Sequence, residues 1–166
     1  ELGFQEYFVK YQCAPKVKKI SNVGCETAEV PMYLKELINK NKLSGVIICP
    51  SNPYLSVDPI LSINEIKTFL LETSIPILAI SPIIANDSIK GPTSKIMREM
   101  KINPSVESIA QHYSELIDVL VIDHKDANYH PMTDSMAFIV DSIYMNNSED
   151  KISLATNCLE KIKELS

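Results

Sequence analysis

At 166 residues and 18.6 kDa, with 45% apolar and 22% charged residues, the chain is long enough for one well-cored domain and short for two. That composition excludes a collagen, a coiled coil and a disordered tail. The 16 Lys and Arg against 21 Asp and Glu leave a net charge of −5 with no basic block, which argues against binding duplex nucleic acid.

The start, Glu1-Leu2-Gly3-Phe4, has neither a basic n-region nor a small-residue cleavage site and does not read as a signal peptide. Without an initiator Met it reads as an excised or processed piece. Phe4 to Tyr11 (FQEYFVKY) alternates apolar with polar residues and reads as extended structure, and Val17 to Ser21 adds a short β-like run. Pro31 suits the first turn of a helix with Met32, Leu34, Leu37 and Ile38 on one face, ending at Asn39 to Lys42. Gly45 to Cys49 is a buried strand by composition, and even such apolar runs are far shorter than a membrane span requires. Pro50 to Pro53 breaks it. Asp58-Pro59 then reads as an N-cap followed by Pro at the first position of a helical region running to Glu72.

Ile77 to Ser81 is the next strand, and residues 82–92 (PIIANDSIKGP) read as a loop. Thr93 to Met100 and Ser105 to Leu116 have helical spacing on either side of Asn103-Pro104. Strands follow at Val119 to Ile122 and Ala137 to Val140, separated by a flexible loop from His124 to Asp134. Glu149 to Leu165 closes the chain as an amphipathic helix carrying Ile152, Leu154, Ala155, Leu159, Ile162 and Leu165. Alternating strands and helices mean an α/β domain with parallel strands, and one domain over 1–166 is the simplest partition.

In open α/β sheets ligands sit beyond the carboxyl ends of the strands, which directs attention to the segments after Cys49, Ser81 and Ile122. The first, Pro50 to Pro59, places Ser51, Asn52 and Ser56 where hydroxyls and free backbone N–H groups can hold an anion. The same residues also build ordinary turns. The second supplies Ser81, Asn86, Asp87, Ser88, Lys90 and Gly91 just ahead of a helix, again a phosphate-type site or a solvated loop with a capping Thr93. Arg98 is the only arginine and so the only donor for a bidentate phosphate clamp. The third offers Asp123, His124 and Asp126, which could ligate magnesium or touch a ribose hydroxyl, but read equally as a polar loop. His112 reads as a partly buried helix residue and His130 as a surface residue. No GxxxxGKS, no GxGxxG and no Ser-His-Asp set is present. Cysteines 13, 25, 49 and 158 show no CxxC and no His at a metal-site interval, so they read as reduced structural thiols of a cytoplasmic protein.

At these loops the sequence resembles the 2-phospho-L-lactate transferase family of coenzyme F-420 biosynthesis. The resemblance rests on FQEYFV (4–9), GVIICPSNPYLSVDPILSI (45–63), AISPIIANDSIKGPTSKIM (79–97) and ELIDVLVIDHKDA (115–127). It implies a Rossmann-like three-layer sandwich with a mainly parallel sheet. It also implies transfer of a 2-phospholactyl or phosphoenolpyruvyl group from a guanosine-diphosphate-linked donor to the deazaflavin Fo, with magnesium, releasing GMP. Carried onto matching positions, Ser51, Asn52 and Ser56 belong to the nucleotide-phosphate loop, and Ser81, Lys90 and Gly91 to the neighbouring phosphate-facing loop. Family members run to roughly twice this length, so the chain looks like their C-terminal half. The catalytic aspartate, the metal ligands and the acceptor pocket are expected upstream of Glu1. Ala85-Asn86 stands where the family commonly has glycines. Two other readings remain: a nucleotide-sugar-binding regulator of the same fold, whose first loop resembles PGSLYTS rather than PSNPYLS, and a structural half that binds nothing. A homodimer is left open.

Overall fold

The computed structural model describes residues 1–89, 91–129 and 136–166. Short runs of aliphatic residues bounded by Pro, Asp and Ser form the strands β1 (Val46–Ile48), β2 (Ile77–Ile80), β3 (Ile83–Ile84), β4 (Asp87–Ser88), β5 (Val119–Asp123) and β6 (Ala137–Asp141). Between and around them lie α1 (Met32–Asn39), α2 (Asp58–Leu61), α3 (Asn64–Glu72), α4 (Thr93–Glu99), α5 (Val106–His112) and α6 (Ser148–Leu165).

Four strands make one parallel sheet in the order β1-β2-β5-β6, with Val46 opposite Ile77, Leu78 opposite Val119, and Val119 opposite Ala137. A parallel sheet needs cover on both faces, and its inner strands are correspondingly apolar except for Asp123 at the end of β5: every residue of β2 and β5 is buried. Alternate residues serve alternate faces. Ile77, Ala79, Leu120 and Ile122 pack with Ile96 and Met97 of α4, Ile109 of α5 and Tyr113 just beyond it. Leu78, Ile80, Val119 and Val121 pack with Leu154, Cys158 and Ile162 of α6 and with Ile143. Helices on both sides of a parallel sheet give the three-layer α/β sandwich expected of a Rossmann-like fold.

Helix α6 meets the sheet along a narrow i, i+4, i+8 stripe, so Ile152, Leu159 and Leu165 stay exposed. At the entrance to β1 it comes close enough that a methyl group on Gly45 would lie 2.5 Å from Ile162 Cγ2 and 3.0 Å from the Pro76 carbonyl oxygen.

The structure corrects several expected elements. Residues 6–10 form a π-helical turn instead of a strand, with Tyr11 N–H donating to Glu6 O, Glu6 paired to Lys10 at 2.9 Å, and Phe4 stacked on Phe8. Val17 to Ser21 joins no sheet: Val17 N–H donates to Glu99 Oε2 at 2.8 Å, which fixes it against α4. Strand β1 is shorter than Gly45–Cys49 and only half-buried, because it is the outer strand of the described sheet. The loop 82–92 contains a hairpin, β3 and β4 joined antiparallel through Ala85 and Asn86, both at positive φ (48° and 64°). His124–Asp126 is a 3-10 turn, while 130–135 of the expected flexible loop, His130 included, lies outside the described residues.

Candidate functional site

The first loop owes its shape to Asn52. Its Oδ1 accepts from the backbone N–H groups of Tyr54 and Leu55, both at 3.0 Å, and Pro53 takes the first position of the π-helical turn Pro53–Val57 that leads directly into α2. The helical region therefore starts earlier than expected and its cap is Asn52. Asp58 caps nothing; its Oδ1 meets His112 Nε2 at 2.8 Å, tying α2 to the last residue of α5. Because Oδ1 is taken by the cap, the other half of the Asn52 carboxamide, Nδ2, is left buried with no acceptor. A buried donor without a partner costs about 1–3 kcal/mol, so an incoming acceptor at this position gains by that amount.

Beside that loop, at the carboxyl ends of β1 and β2, lies a cavity of about 100 Å³ lined by Pro50, Ser51, Asn52, Pro82, Ile89, Thr93, Ile143 and Met145. Drug-sized ligand pockets run to about 300–1,000 Å³, so this one has room for a phosphate-sized group and not for a nucleoside. Two of the three inspected strand ends thus converge, the first through Ser51 and Asn52, the second through Pro82, Ile89 and Thr93. The remaining wall, Ile143 and Met145, comes from the connection between β6 and α6. Applying the strand-end rule to the fourth strand as well as to the first three would have found it.

The other expected site residues lie elsewhere or do other work. Ser56 is exposed and does not line the cavity; its N–H donates to Asn52 O within the turn. Ser81 is fully buried, its hydroxyl donating to Ile83 O at 3.0 Å and accepting from Ile83 N–H at 3.1 Å, which makes it the corner between β2 and the hairpin. Gly91, at φ +71°, turns the chain towards α4 and its carbonyl accepts from Ser88 Oγ. Lys90 lies outside the described residues. Arg98 is no phosphate clamp: its Nη2 stands 3.7 Å from Asp87 Oδ1 and donates to Asn86 O at 3.4 Å, securing the hairpin to α4. The nearby Ser94 hydroxyl, the Ser88 N–H donating to Asp87 Oδ1 at 2.9 Å, and Arg98 together hold the Asp87 carboxyl below its usual range.

Burial dominates the remaining titration behaviour. It pushes the Tyr54 hydroxyl up to about 12, with the charge of Asp58 adding to the effect, and raises Tyr113 further for the same reasons. Cys158, buried under α6, is pushed up to about 11 by burial, then by Asp141 and Cys49, which leaves it an inert thiol near neutral pH.

Residues 1–157 match the family model described as "2-phospho-L-lactate transferase CofD". The chain belongs to the CofD family. It is 32% identical to the 2-phospho-L-lactate transferase of Methanopyrus kandleri over 169 aligned positions, which cover 99% of this chain and 52% of that protein. Its identity to the corresponding transferase of Methanocaldococcus jannaschii is 38% over 159 positions, covering 96% of this chain and 50% of that protein. The chain therefore spans about half the length of these CofD relatives.

No three His, Cys, Asp or Glu side chains gather as a metal-binding group among the described residues, and no carboxylate lines the cavity. The acidic groups at the third strand end are engaged in holding loops: Asp123 accepts from Lys125 N–H, and both oxygens of Asp126 accept from Ala85 N–H at 3.2 and 3.0 Å. No helix among the described residues is long and apolar enough to cross a membrane.

Proposed function

We propose that this chain supplies the nucleotide-phosphate subsite of a 2-phospho-L-lactate transferase that moves a phospholactyl or phosphoenolpyruvyl group from a guanosine-diphosphate-linked donor to the deazaflavin Fo and releases GMP. Family membership supports the reaction class. The observation that carries the site is the convergence of Ser51, the half-satisfied carboxamide of Asn52 and the buried Thr93 on one phosphate-sized cavity at the strand ends. Hydroxyl and amide donors preset around phosphate oxygens stabilise the charge that shifts onto the leaving GMP, and they do so without reorganising. In the transfer, a ribityl hydroxyl oxygen of Fo forms the new P–O bond, the pyrophosphate bridge breaks, GMP takes the bridging oxygen, and the hydroxyl proton goes to solvent. Catalysis of this kind rests on alignment and charge stabilisation, and needs no protein nucleophile. No step of this reading depends on a metal ligand from the chain.

The test is GMP release by the protein incubated with Fo, magnesium and each donor in turn. Acceptor-dependent GMP supports the transferase and identifies the three-carbon acid. Absence of GMP, while nucleotide sugars raise the melting temperature, refutes it in favour of a regulator that binds without transfer.

A further inference from the structure

His112 sits at the C-terminal end of α5 and is not among the residues that line the cavity. Its side chain makes three contacts that all fall on the loop or its anchor. Nε2 meets Asp58 Oδ1 at 2.8 Å, and the pair is only partly exposed, 24% for His112 and 30% for Asp58. The imidazole lies edge-on to Tyr54 at 5.1 Å and edge-on to Tyr113 at 5.0 Å. Tyr54 and Tyr113 are both buried, so neither ring can move without opening the core. Tyr54 is also one of the two residues whose N–H groups Asn52 caps. A chain of direct contacts therefore runs from α5 through His112 to Tyr54 and Asp58, and from Tyr54 to Asn52 at the cavity. The turn it restrains is π-helical, a wider and rarer geometry than α-helix, whose persistence depends on surrounding contacts.

We propose that His112 is a positioning residue for the first loop: gripping Asp58 and wedged between Tyr54 and Tyr113, it holds the Asn52-capped turn in its ligand-ready shape before any nucleotide arrives. The consequence for affinity rests on the phosphate-site reading above; the restraint on the loop does not. Without the imidazole, the turn 53–57 keeps its cap but loses its outside brace. It then samples uncapped geometries, and a ligand must pay to order it.

Amide hydrogen exchange and GDP calorimetry on the intact protein separate the two levels. In His112→Ala the amides of Tyr54 and Leu55 should exchange at least tenfold faster than in the parent, while those of Leu78–Ile80 and Leu120–Ile122 keep their parental rates. GDP affinity should fall about fivefold or more. His112→Gln, whose Nε2 reaches Asp58 as the imidazole nitrogen does but which lacks the ring against Tyr54 and Tyr113, should recover part of both readouts, whereas His112→Asn, one bond shorter, should recover neither. The Gln and Asn pair decides the matter even if the Ala variant fails to fold. Parental exchange at Tyr54 and Leu55 in the Asn variant, or equal acceleration in Gln and Asn, overturns the proposal. Acceleration spread evenly over the sheet amides also overturns it, since that marks a general loss of stability. If the parent binds no GDP, the phosphate-site reading fails and the exchange rates still decide the role of His112.

Discussion

Replacing Gly45 by Ala tests how tightly α6 is seated on the sheet. The new methyl would sit 2.5 Å from Ile162 Cγ2, 2.9 Å from Ile162 Cδ1 and 3.0 Å from the Pro76 carbonyl oxygen. Carbon atoms rest at about 3.5–4.0 Å, so the first contact is short by at least about 1 Å. Neither neighbour yields easily. Ile162 is β-branched with its rotamer held by the helix and is 5% exposed, while the Pro76 oxygen accepts the Val46 N–H at 2.9 Å at the start of the β1–β2 ladder. Overpacking of this kind costs about 1–3 kcal/mol. The stiffer unfolded chain returns about 0.4–1 kcal/mol of that, leaving a net loss of about 1.3 kcal/mol at the middle of both ranges and about 2.6 kcal/mol at most. For a chain of this size each kcal/mol moves the melting temperature by about 2–4 °C, so a fall of about 3–5 °C, and at most about 10 °C, is expected in a thermal melt followed by circular dichroism. Ile162→Ala removes both crowded side-chain atoms, so its own cost, about 2–5 kcal/mol in the parent, should be smaller by at least about 1 kcal/mol in the Gly45→Ala background. A melting temperature at or above the parent's for Gly45→Ala, or strict additivity in the double variant, would refute the packing argument.

Asn52→Ala removes the cap, which costs about 1 kcal/mol, together with the unpaired buried donor, whose loss returns a similar amount, so it should shift the urea midpoint little while weakening GDP binding in calorimetry; Ser56→Ala, on an exposed hydroxyl outside the cavity, should change neither. Ala85→Gly relieves a left-handed residue at the hairpin tip and should stabilise the protein by about 1 kcal/mol, read as a raised urea midpoint. Glu99 is opposed by burial, yet its hydrogen bonds from Lys95 and the Val17 N–H prevail and lower its pKa. Its folded pKa lies below its unfolded one, so its contribution is complete above the unfolded value, near 4.5, and is lost as pH falls through the folded value. Glu99→Gln should therefore cost about 1–2 kcal/mol at pH 7, and the gap between variant and parent should close in acid denaturation below about pH 4.5. A gap that persists unchanged to pH 2 would sink the assignment.

The sheet was legible because β2 and residues 119–122 of β5 are unbroken aliphatic runs whose two faces are both buried, a pattern that few other arrangements require. The N-terminal segment misled because FQEYFVKY satisfies two periods at once. Its apolar residues alternate, yet Phe4 with Phe8 and Glu6 with Lys10 are also four apart, and burial of Tyr7 against the core selects the helical option. Ser51 and Asn52 could be read as site residues because the strand-end rule depends only on chain order. Ser81 could not be sorted from them, since whether a strand-end hydroxyl faces the ligand or turns back on its own loop is decided by the hairpin that follows. Asp58 next to Pro59 has the local chemistry of a cap, but the competing partner, His112, lies 54 positions away. Local patterns carry no information about such a pair.

In the order β1-β2-β5-β6, each strand of the main sheet pairs with the one made just before it. During synthesis a new strand therefore finds its place as soon as it leaves the ribosome, without waiting for a later segment to open or fill a gap. The opposite holds for the face under α6. Leu78, Ile80, Val119 and Val121 are all in position before the stripe that shelters them, Leu154, Cys158 and Ile162, has been translated. A product that stops before Ser148 would carry the four described strands with one oily side open to water. Exposed surface of that kind promotes aggregation, so α6 protects this face of the nascent sheet once it docks.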